Sequence, residues 1–102
     1  MKRIVVRYRV KPDRVAENER LVAGVFEQLR REQPAGLRYA SFKAADGVSF
    51  THVVSIETAD GSNPLGALAA FKAFTAEIKD RCDEPPAATE LTEVGSYRFL
   101  DT

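Results

Sequence analysis

The sequence contains no tryptophan, one cysteine and one histidine. A lone cysteine, Cys82, excludes an intramolecular disulfide, and no apolar signal segment precedes the first strand, so we expect a reducing, cytoplasmic location. The 15 basic and 15 acidic residues cancel at neutral pH, which leaves no net field to attract nucleic acid or an anionic membrane. No apolar run approaches the roughly 20 residues that cross a bilayer.

What the sequence does contain is enough apolar material for one core. Of its 102 residues, 44% are hydrophobic and 29% are charged, close to the averages of soluble globular proteins. This length suits one core and not two. We therefore expect a single domain over residues 1–102.

The first half of the chain predicts a strand, a helix and a hairpin. Residues 3–10 alternate between apolar and polar, as a strand requires, and Pro12 ends them. From Asp13, the expected N-cap, the apolar period becomes helical and continues to Pro34. Residues 37–43 and 48–57 then read as two strands around the Asp46-Gly47 turn, since both turn positions tolerate positive φ.

The second half predicts one helix and one strand. Asn63 can cap a helix and Pro64 suits its first turn. An apolar stripe then continues at three- and four-residue steps to Cys82, which predicts one uninterrupted helix before Pro85-Pro86. Residues 89–100 read as the closing strand, in which Gly95 predicts a bulge.

This β-α-β-β-α-β order predicts a ferredoxin-like α+β sandwich, in which two helices cover one face of a four-stranded antiparallel sheet and the first and third strands are central. The more apolar face of those strands should lie under the helices: Ile4, Val6, Tyr8, Phe50, His52, Val54 and Ile56. The helix-free face would then carry Arg7, Arg9, Thr51, Val53 and Ser55. A second subunit is the simplest cover for it, which predicts a homodimer.

The chain resembles the dimeric α+β barrel superfamily and is most similar to its antibiotic biosynthesis monooxygenase-like group. The resemblance covers the whole chain. It rests on the strand ending Arg9-Val10-Lys11-Pro12-Asp13, on the Asp46-Gly47 hairpin leading to Ile56-Glu57, and on the Ala-Phe rhythm of the second helix. It implies a dimer joined through the helix-free sheet faces, with a pocket between sheet and helices in each subunit.

The resemblance also identifies positions in that pocket. Enzymes of the group that oxidise aromatic polyketides without a cofactor carry an Asn on the third strand and a Trp four residues later. His52 matches the Asn position and Ile56 matches the Trp position, so this chain departs from the motif. Haem-degrading relatives use a histidine of the second helix, which is absent here, and an Asn at the position of Val6.

His52 is the strongest candidate for a catalytic residue, because it lies on an otherwise apolar strand face. A buried neutral imidazole can donate a hydrogen bond to a substrate oxygen or remove a phenolic proton. Asn18 interrupts the apolar stripe of the first helix and is the second candidate, facing His52. The alternatives are a satisfied core histidine and an asparagine bonded to a loop or placed at the edge of the stripe.

Aromatic and basic residues complete the predicted sites. A ring-sized ligand pocket is predicted to be lined by Tyr8, Phe26, Phe50, Ile56, Phe71 and Phe74, although such side chains also build ordinary cores. Arg7 and Arg9 would bind an anion in the dimer, or pair with carboxylates such as Glu90 or Glu93.

The sequence leaves two functions open. The first is a homodimeric cofactor-independent monooxygenase-like enzyme that acts on a small aromatic molecule. The second is a non-catalytic dimeric module that binds a ligand or another protein, in which His52 serves only for packing. No pattern in the sequence indicates a flavin, nicotinamide or metal site, so we expect no cofactor.

Overall fold

The structure, a computed structural model, describes residues 1–99. Its elements are β1 (Lys2–Val10), α1 (Val15–Glu32), β2 (Leu37–Lys43), β3 (Ser49–Ile56), α2 (Ala69–Thr75), α3 (Ile78–Arg81) and β4 (Cys82–Leu91). The strands form one sheet in the order β2-β3-β1-β4, and every neighbouring pair is antiparallel. The predicted ferredoxin-like fold, with its first and third strands at the centre, is confirmed.

The hairpin between β2 and β3 forms where the sequence predicted it. Gly47 has a φ of 77°, which only a residue tolerant of the left-handed region adopts readily. The Asp46 carboxylate accepts hydrogen bonds from the backbone amides of Val48 and Ser49, both at 2.9 Å. This turn sets the register that places Ser41 opposite His52.

The first helix begins later than predicted. Pro12–Arg14 forms a 3-10 turn, and α1 starts at Val15 without a side-chain cap, so the expected N-cap at Asp13 was wrong. The φ of −113° and ψ of 4° at Arg14 separate the turn from the helix. An ion pair between Arg14 Nε and Glu17 Oε1, at 2.6 Å, lies in the first turn of α1.

The second helix was predicted as one piece and is instead broken. A 3-10 turn over Pro64–Ala67 precedes α2, and α2 is separated from α3 at Glu77, whose φ is 59°. The predicted cap at Asn63 does form, since its side chain accepts a hydrogen bond from Leu65 N at 3.0 Å. The break is stabilised by Arg81, which donates hydrogen bonds to backbone carbonyls that end α2.

The last strand lies earlier than predicted. We expected it over residues 89–100, but β4 runs from Cys82 to Leu91 and contains Pro85-Pro86. The prolines are tolerated because β4 is an edge strand and its register with β1 shifts between Arg7 and Arg9. Gly95 lies beyond β4, and the predicted end at Leu100 lies outside the described residues.

The sheet presents its apolar face to the helices, as the alternation predicted. Tyr8, Phe50, His52, Val54 and Ile56 are all buried there. On the opposite face Ser55 is fully buried instead of exposed, because its hydroxyl lies between Arg3 and Glu57. Residues 91–96 and Phe99 border a crevice of about 340 Å³ on this face together with Arg3 and Val53.

Candidate functional site

A cavity of about 400 Å³ lies between the sheet and the segment that contains α2 and α3. Its walls are mostly apolar and come from β1, β3, β4 and the broken second helix. They include Ile4, Val6, Val54, Leu65, Phe71, Phe74, Ile78 and Pro86. Six lining residues have polar side chains: Tyr8, Tyr39 and His52, which lie together, and Asn63, Thr75 and Lys79.

His52 is hydrogen bonded through both nitrogens of its ring. The Tyr8 hydroxyl lies 2.7 Å from Nε2. On the other side, the Tyr39 hydroxyl and the Ser41 hydroxyl lie 2.5 Å and 3.0 Å from Nδ1. The imidazole is thus fixed between two tyrosine hydroxyls that both belong to the cavity.

The polar groups continue behind Tyr8 into the interior. Asn18 Nδ2 donates a hydrogen bond to the Tyr8 hydroxyl at 3.0 Å, and Arg81 Nε donates to Asn18 Oδ1 at 3.4 Å. We call the connected side chains of Arg81, Asn18, Tyr8, His52, Tyr39 and Ser41 the polar chain. Within the described part of the protein, no buried side-chain nitrogen or oxygen atom lacks a hydrogen-bond partner.

Arg81 is a cation with only 1% of its surface exposed. Its Nη2 donates to Phe74 O at 2.6 Å and its Nη1 donates to Ala76 O at 3.2 Å. The guanidinium carbon also lies 5.5 Å from the centre of the Phe74 ring. Arg81 therefore fixes the break in the second helix and the inner end of the polar chain at the same time.

Burial keeps the two tyrosines and the histidine of the polar chain neutral at physiological pH. It lowers the pKa of His52 from 6.5 to about 4, because an imidazolium would be desolvated. Burial raises the pKa of Tyr39 to about 12, against a smaller lowering by a hydrogen bond from Ser41. Burial likewise raises the pKa of Tyr8.

Four of the side chains predicted for the site line the cavity: Tyr8, His52, Phe71 and Phe74. Asn18 lies behind them and contacts Tyr8, not His52 itself. Phe26, Phe50 and Ile56 are outside this lining. Phe50 and Phe26 instead stack behind the two tyrosines, with ring centres 5.5 Å from Tyr8 and 5.1 Å from Tyr39 respectively.

The sequence reasoning missed Tyr39, Ser41 and Arg81. The parity of the hairpin contained the signal for the first two, because Ser41 pairs with His52 and Tyr39 pairs with Val54. Arg81 follows Ile78 by three residues, a step that keeps it on the apolar stripe of the helix. Charged side chains are rarely fully buried, so this step alone did not identify Arg81 as a site residue.

Arg7 and Arg9, which were predicted to bind an anion in the dimer or to pair with carboxylates, both lie on β1. Arg9 Nη2 pairs with Glu84 Oε1 at 3.0 Å, and Arg3 pairs with Glu93. Arg7 is exposed on the same strand. Across residues 1–99 we find no group of three or more His, Cys, Asp or Glu side chains that could hold a metal ion, and no helix there is long and apolar enough to span a membrane.

Solved structures with the same fold include antibiotic biosynthesis monooxygenases. One such structure superposes with a TM-score of 0.75 at 16% identity, covering 93% of this chain and 100% of the other. Rv0793 from Mycobacterium tuberculosis gives 0.74 at 18% identity, with 93% and 96% covered. A variant of SnoaB, a cofactor-independent oxygenase from Streptomyces nogalater, gives 0.67 at 16%, with 93% and 94% covered.

These likenesses establish the fold of the chain. The predicted resemblance to antibiotic biosynthesis monooxygenase-like proteins is confirmed at that level, since neighbours of this description match over nearly the whole chain. No protein-family model and no curated protein matches the sequence. Identities this low leave the reaction to be argued from the site itself.

Proposed function

We propose that this protein is a cofactor-independent monooxygenase-like enzyme that acts on a small aromatic molecule bound in the cavity beside His52. The observation that carries the proposal is the cavity itself, with apolar walls and one cluster of hydroxyl and imidazole groups. Ligand sites in proteins have this composition, because apolar walls supply affinity and a few polar groups supply orientation. The SnoaB likeness supports oxygenation as the reaction class.

The dimensions of the cavity favour a molecule of two or three fused rings. Its volume of about 400 Å³ falls in the range of small-molecule sites, which is roughly 300–1,000 Å³. Phe71 and Phe74 provide aromatic surface on the helix side, while Val6 and Val54 provide aliphatic surface on the sheet side. A flat aromatic molecule fits between two such surfaces.

The chemistry is restricted by the state of His52. Because both of its nitrogens are already bonded and its pKa is about 4, it is a poor acceptor for a substrate proton at neutral pH. A tyrosine hydroxyl of the cavity is therefore the group that orients a substrate oxygen, and His52 holds that hydroxyl in place. The proton of an acidic CH2 group of the substrate would pass to solvent water, and the enolate oxygen that results would be stabilised by a hydroxyl donor.

The balance of the reaction defines the substrate class further. Without a reducing cofactor, the substrate itself must supply the two electrons that convert the second oxygen atom of O2 to water. A CH2 group flanked by aromatic rings or a carbonyl satisfies this requirement: it gains one oxygen atom to become C=O, and its two hydrogens leave in water. We infer an aromatic ketone or phenol with such a carbon.

We also propose that two copies of the chain pair through the helix-free sheet face. Phe42, on β2, is 50% exposed on that face, and beyond β4 the side chains of Val94 and Tyr97 are 100% and 80% exposed. Apolar side chains exposed this strongly are typical of surfaces that a partner covers. A homodimer in the cytoplasm, with two cavities, agrees with this surface and with the single cysteine.

Oxygen consumption tests the proposed reaction. Purified protein is mixed with anthrone, a three-ring ketone with an activated CH2 group, and O2 uptake is followed beside a sample without protein. The proposal expects O2 uptake that saturates with anthrone and yields the quinone, and that is lost in Tyr39→Phe. No uptake above the protein-free rate, despite saturable anthrone binding, would contradict the enzyme proposal.

The second candidate function is a non-catalytic module that binds the same class of molecule. The full hydrogen bonding of His52 favours it, because every polar atom of the ring is used within the protein. This alternative expects saturable binding with no O2 uptake. The two measurements on one sample therefore separate the candidates.

A further inference from the structure

We propose that Tyr39 is the hydrogen-bond donor that orients ligands in the cavity. The donor-to-acceptor direction of the hydrogen bonds along the polar chain leaves its proton free for a ligand, so the cavity selects molecules with a carbonyl or phenolate oxygen. The selectivity for a ligand rests on the proposed function. The direction of the hydrogen bonds rests only on the protein's own side chains.

Arg81, at the inner end of the polar chain, sets the direction of its hydrogen bonds. A guanidinium has donors and no acceptor, so the atom of Asn18 that lies 3.4 Å from Arg81 Nε must be the carbonyl oxygen Oδ1. The amide nitrogen of Asn18 then faces Tyr8 and donates to its hydroxyl oxygen at 3.0 Å. One lone pair of the Tyr8 oxygen is thereby occupied.

The next hydrogen bond joins the Tyr8 hydroxyl to His52, and Tyr8 is its donor. Its hydroxyl proton has two possible destinations, Nε2 of His52 at 2.7 Å or the cavity. Tyr8 is only 4% exposed whereas Tyr39 is half-buried, and an unpaired buried donor is costly, so the Tyr8 proton is the one that needs an acceptor inside the protein. Donation to Nε2 avoids that cost and leaves the proton of neutral His52 on Nδ1.

At the outer end of the polar chain, the hydroxyl proton of Tyr39 has no acceptor within the polar chain. A protonated Nδ1 cannot accept, so it donates to the Tyr39 oxygen 2.5 Å away. The Ser41 oxygen lies 3.0 Å from Nδ1, so with Nδ1 protonated Ser41 accepts there and keeps its own proton to donate. The hydrogen bond from Ser41 that lowers the pKa of Tyr39 then fills the second lone pair of the Tyr39 oxygen. The Tyr39 proton is then left for the cavity that its side chain lines, where a ligand oxygen can accept it.

Replacing Asn18 by Asp should reverse the direction of the hydrogen bonds along the polar chain, with almost no change in the shape of the side chain. A carboxylate accepts from Arg81 and from the Tyr8 hydroxyl but donates to neither. With its proton drawn towards Asp, Tyr8 accepts from His52 Nε2–H, and the unprotonated Nδ1 accepts from Tyr39. The donor that faced the cavity is then used inside the protein.

The first arm of the test is ligand-free. Long-range ¹H–¹⁵N NMR distinguishes the two tautomers of a neutral histidine, and His52 is the only histidine in the sequence, so its signals need no further assignment. We expect the Nδ1–H form in the unchanged protein and the Nε2–H form in Asn18→Asp. The control Ala16→Asp adds the same charge at an exposed position of α1 and should keep Nδ1–H.

The second arm uses 2-acetonaphthone and 2-isopropenylnaphthalene, which differ only by C=O against C=CH2. One net hydrogen bond corresponds to a preference of about fivefold for the ketone. We expect this preference in the unchanged protein and in Ala16→Asp, and its loss in Asn18→Asp and Tyr39→Phe. Retained preference in Tyr39→Phe would overturn the assignment of the donor.

The two arms fail in different ways. An Nε2–H tautomer in the unchanged protein would overturn the proposed direction of the hydrogen bonds in the polar chain and leave ligand binding intact. If neither naphthalene compound binds to any variant, the proposed function is wrong and the ligand selectivity falls with it. The tautomers would still report the direction of the hydrogen bonds in that case.

Discussion

The hydroxyl of Tyr8 lies 2.7 Å from Nε2 of His52, although 44 residues separate the two along the chain. Antiparallel pairing of β1 with β3 places Val6 opposite His52 and Tyr8 opposite Phe50, so Tyr8 and His52 are diagonal neighbours on one sheet face. The contact joins the two central strands beneath the helices. It makes the polar chain part of the core as well as part of the cavity.

The low pKa of His52 predicts a specific dependence of stability on pH. The folded state releases this proton at about pH 4 and the unfolded state at about pH 6.5, so the unfolded state binds more protons between these values. Stability is therefore fully present above pH 6.5 and is lost as the pH falls towards 4, by about 3 kcal/mol in total.

Urea unfolding at a series of pH values between 7 and 4.5 measures this dependence. In His52→Gln the contribution of the imidazole is absent, whereas the carboxylates that titrate at the acidic end are unchanged. Subtracting the two curves should give a difference that declines as the pH falls. A difference in unfolding free energy that stays constant from pH 7 to 4.5 would show that folding does not lower the pKa of His52.

Arg81 should contribute strongly to stability. Arg81→Met keeps the apolar stem but removes the donors to Phe74 O, Ala76 O and Asn18 Oδ1, leaving buried acceptors unpaired. We expect a loss of about 2–4 kcal/mol in the free energy of unfolding by urea. The matched change Lys72→Met, at an exposed position of α2, should stay within ~0.5 kcal/mol.

The same experiment tests the origin of the helix break. If Arg81 stabilises the break, Arg81→Met should also increase hydrogen exchange at the amides around Ala76 and Glu77 more than at α1. A variant as stable as the unchanged protein, with no change in exchange, would refute the role given to Arg81.

Filling the cavity should block binding without unfolding the protein. Ala88 is exposed on β4 and lines the cavity, so Ala88→Phe would place a ring in the ligand's space. We expect an affinity for 2-acetonaphthone lower by about tenfold or more, which is ~1.4 kcal/mol. Ala73→Phe adds the same ring at an exposed position of α2 outside the lining, and equal losses in both variants would argue against this cavity as the site.

Self-association can be tested at the helix-free face. Sedimentation velocity at micromolar concentration should give the mass of two chains for the unchanged protein. Phe42→Asp places a charge where an exposed ring now lies, and burying that charge would be costly; we expect the mass of one chain with an unchanged circular dichroism spectrum. A single-chain mass for the unchanged protein would refute the proposed pairing.

Much of the fold followed from local patterns in the sequence. Alternation identified β1, β2 and β3, and the Asp46-Gly47 turn fixed their register closely enough to place His52 under the helices. The errors arose where distant contacts override local preference. Pro85-Pro86 was read as a break, although an edge strand with a shifted register tolerates both residues.

The candidate site was less predictable for a related reason. His52 and Asn18 stood out because polar residues on apolar faces need partners. Their partners did not stand out: Tyr39 and Ser41 lie on an adjacent strand, and Arg81 is a buried cation whose acceptors are mainly backbone carbonyls. Every residue has a backbone carbonyl, so the amino-acid sequence does not show which carbonyls accept from Arg81. This part of the site therefore required the three-dimensional structure.

The central claim is that the cavity beside His52 takes a small aromatic molecule, and an NMR titration with 2-acetonaphthone tests it most directly. The ring signals of the single histidine and the methyl signals of Ile4, Val6 and Val54, which line the cavity, report on this space. The account predicts saturable shifts of these signals that Ala88→Phe suppresses. Unchanged cavity signals at saturating ketone, or shifts confined to exposed residues such as Val94, would contradict it.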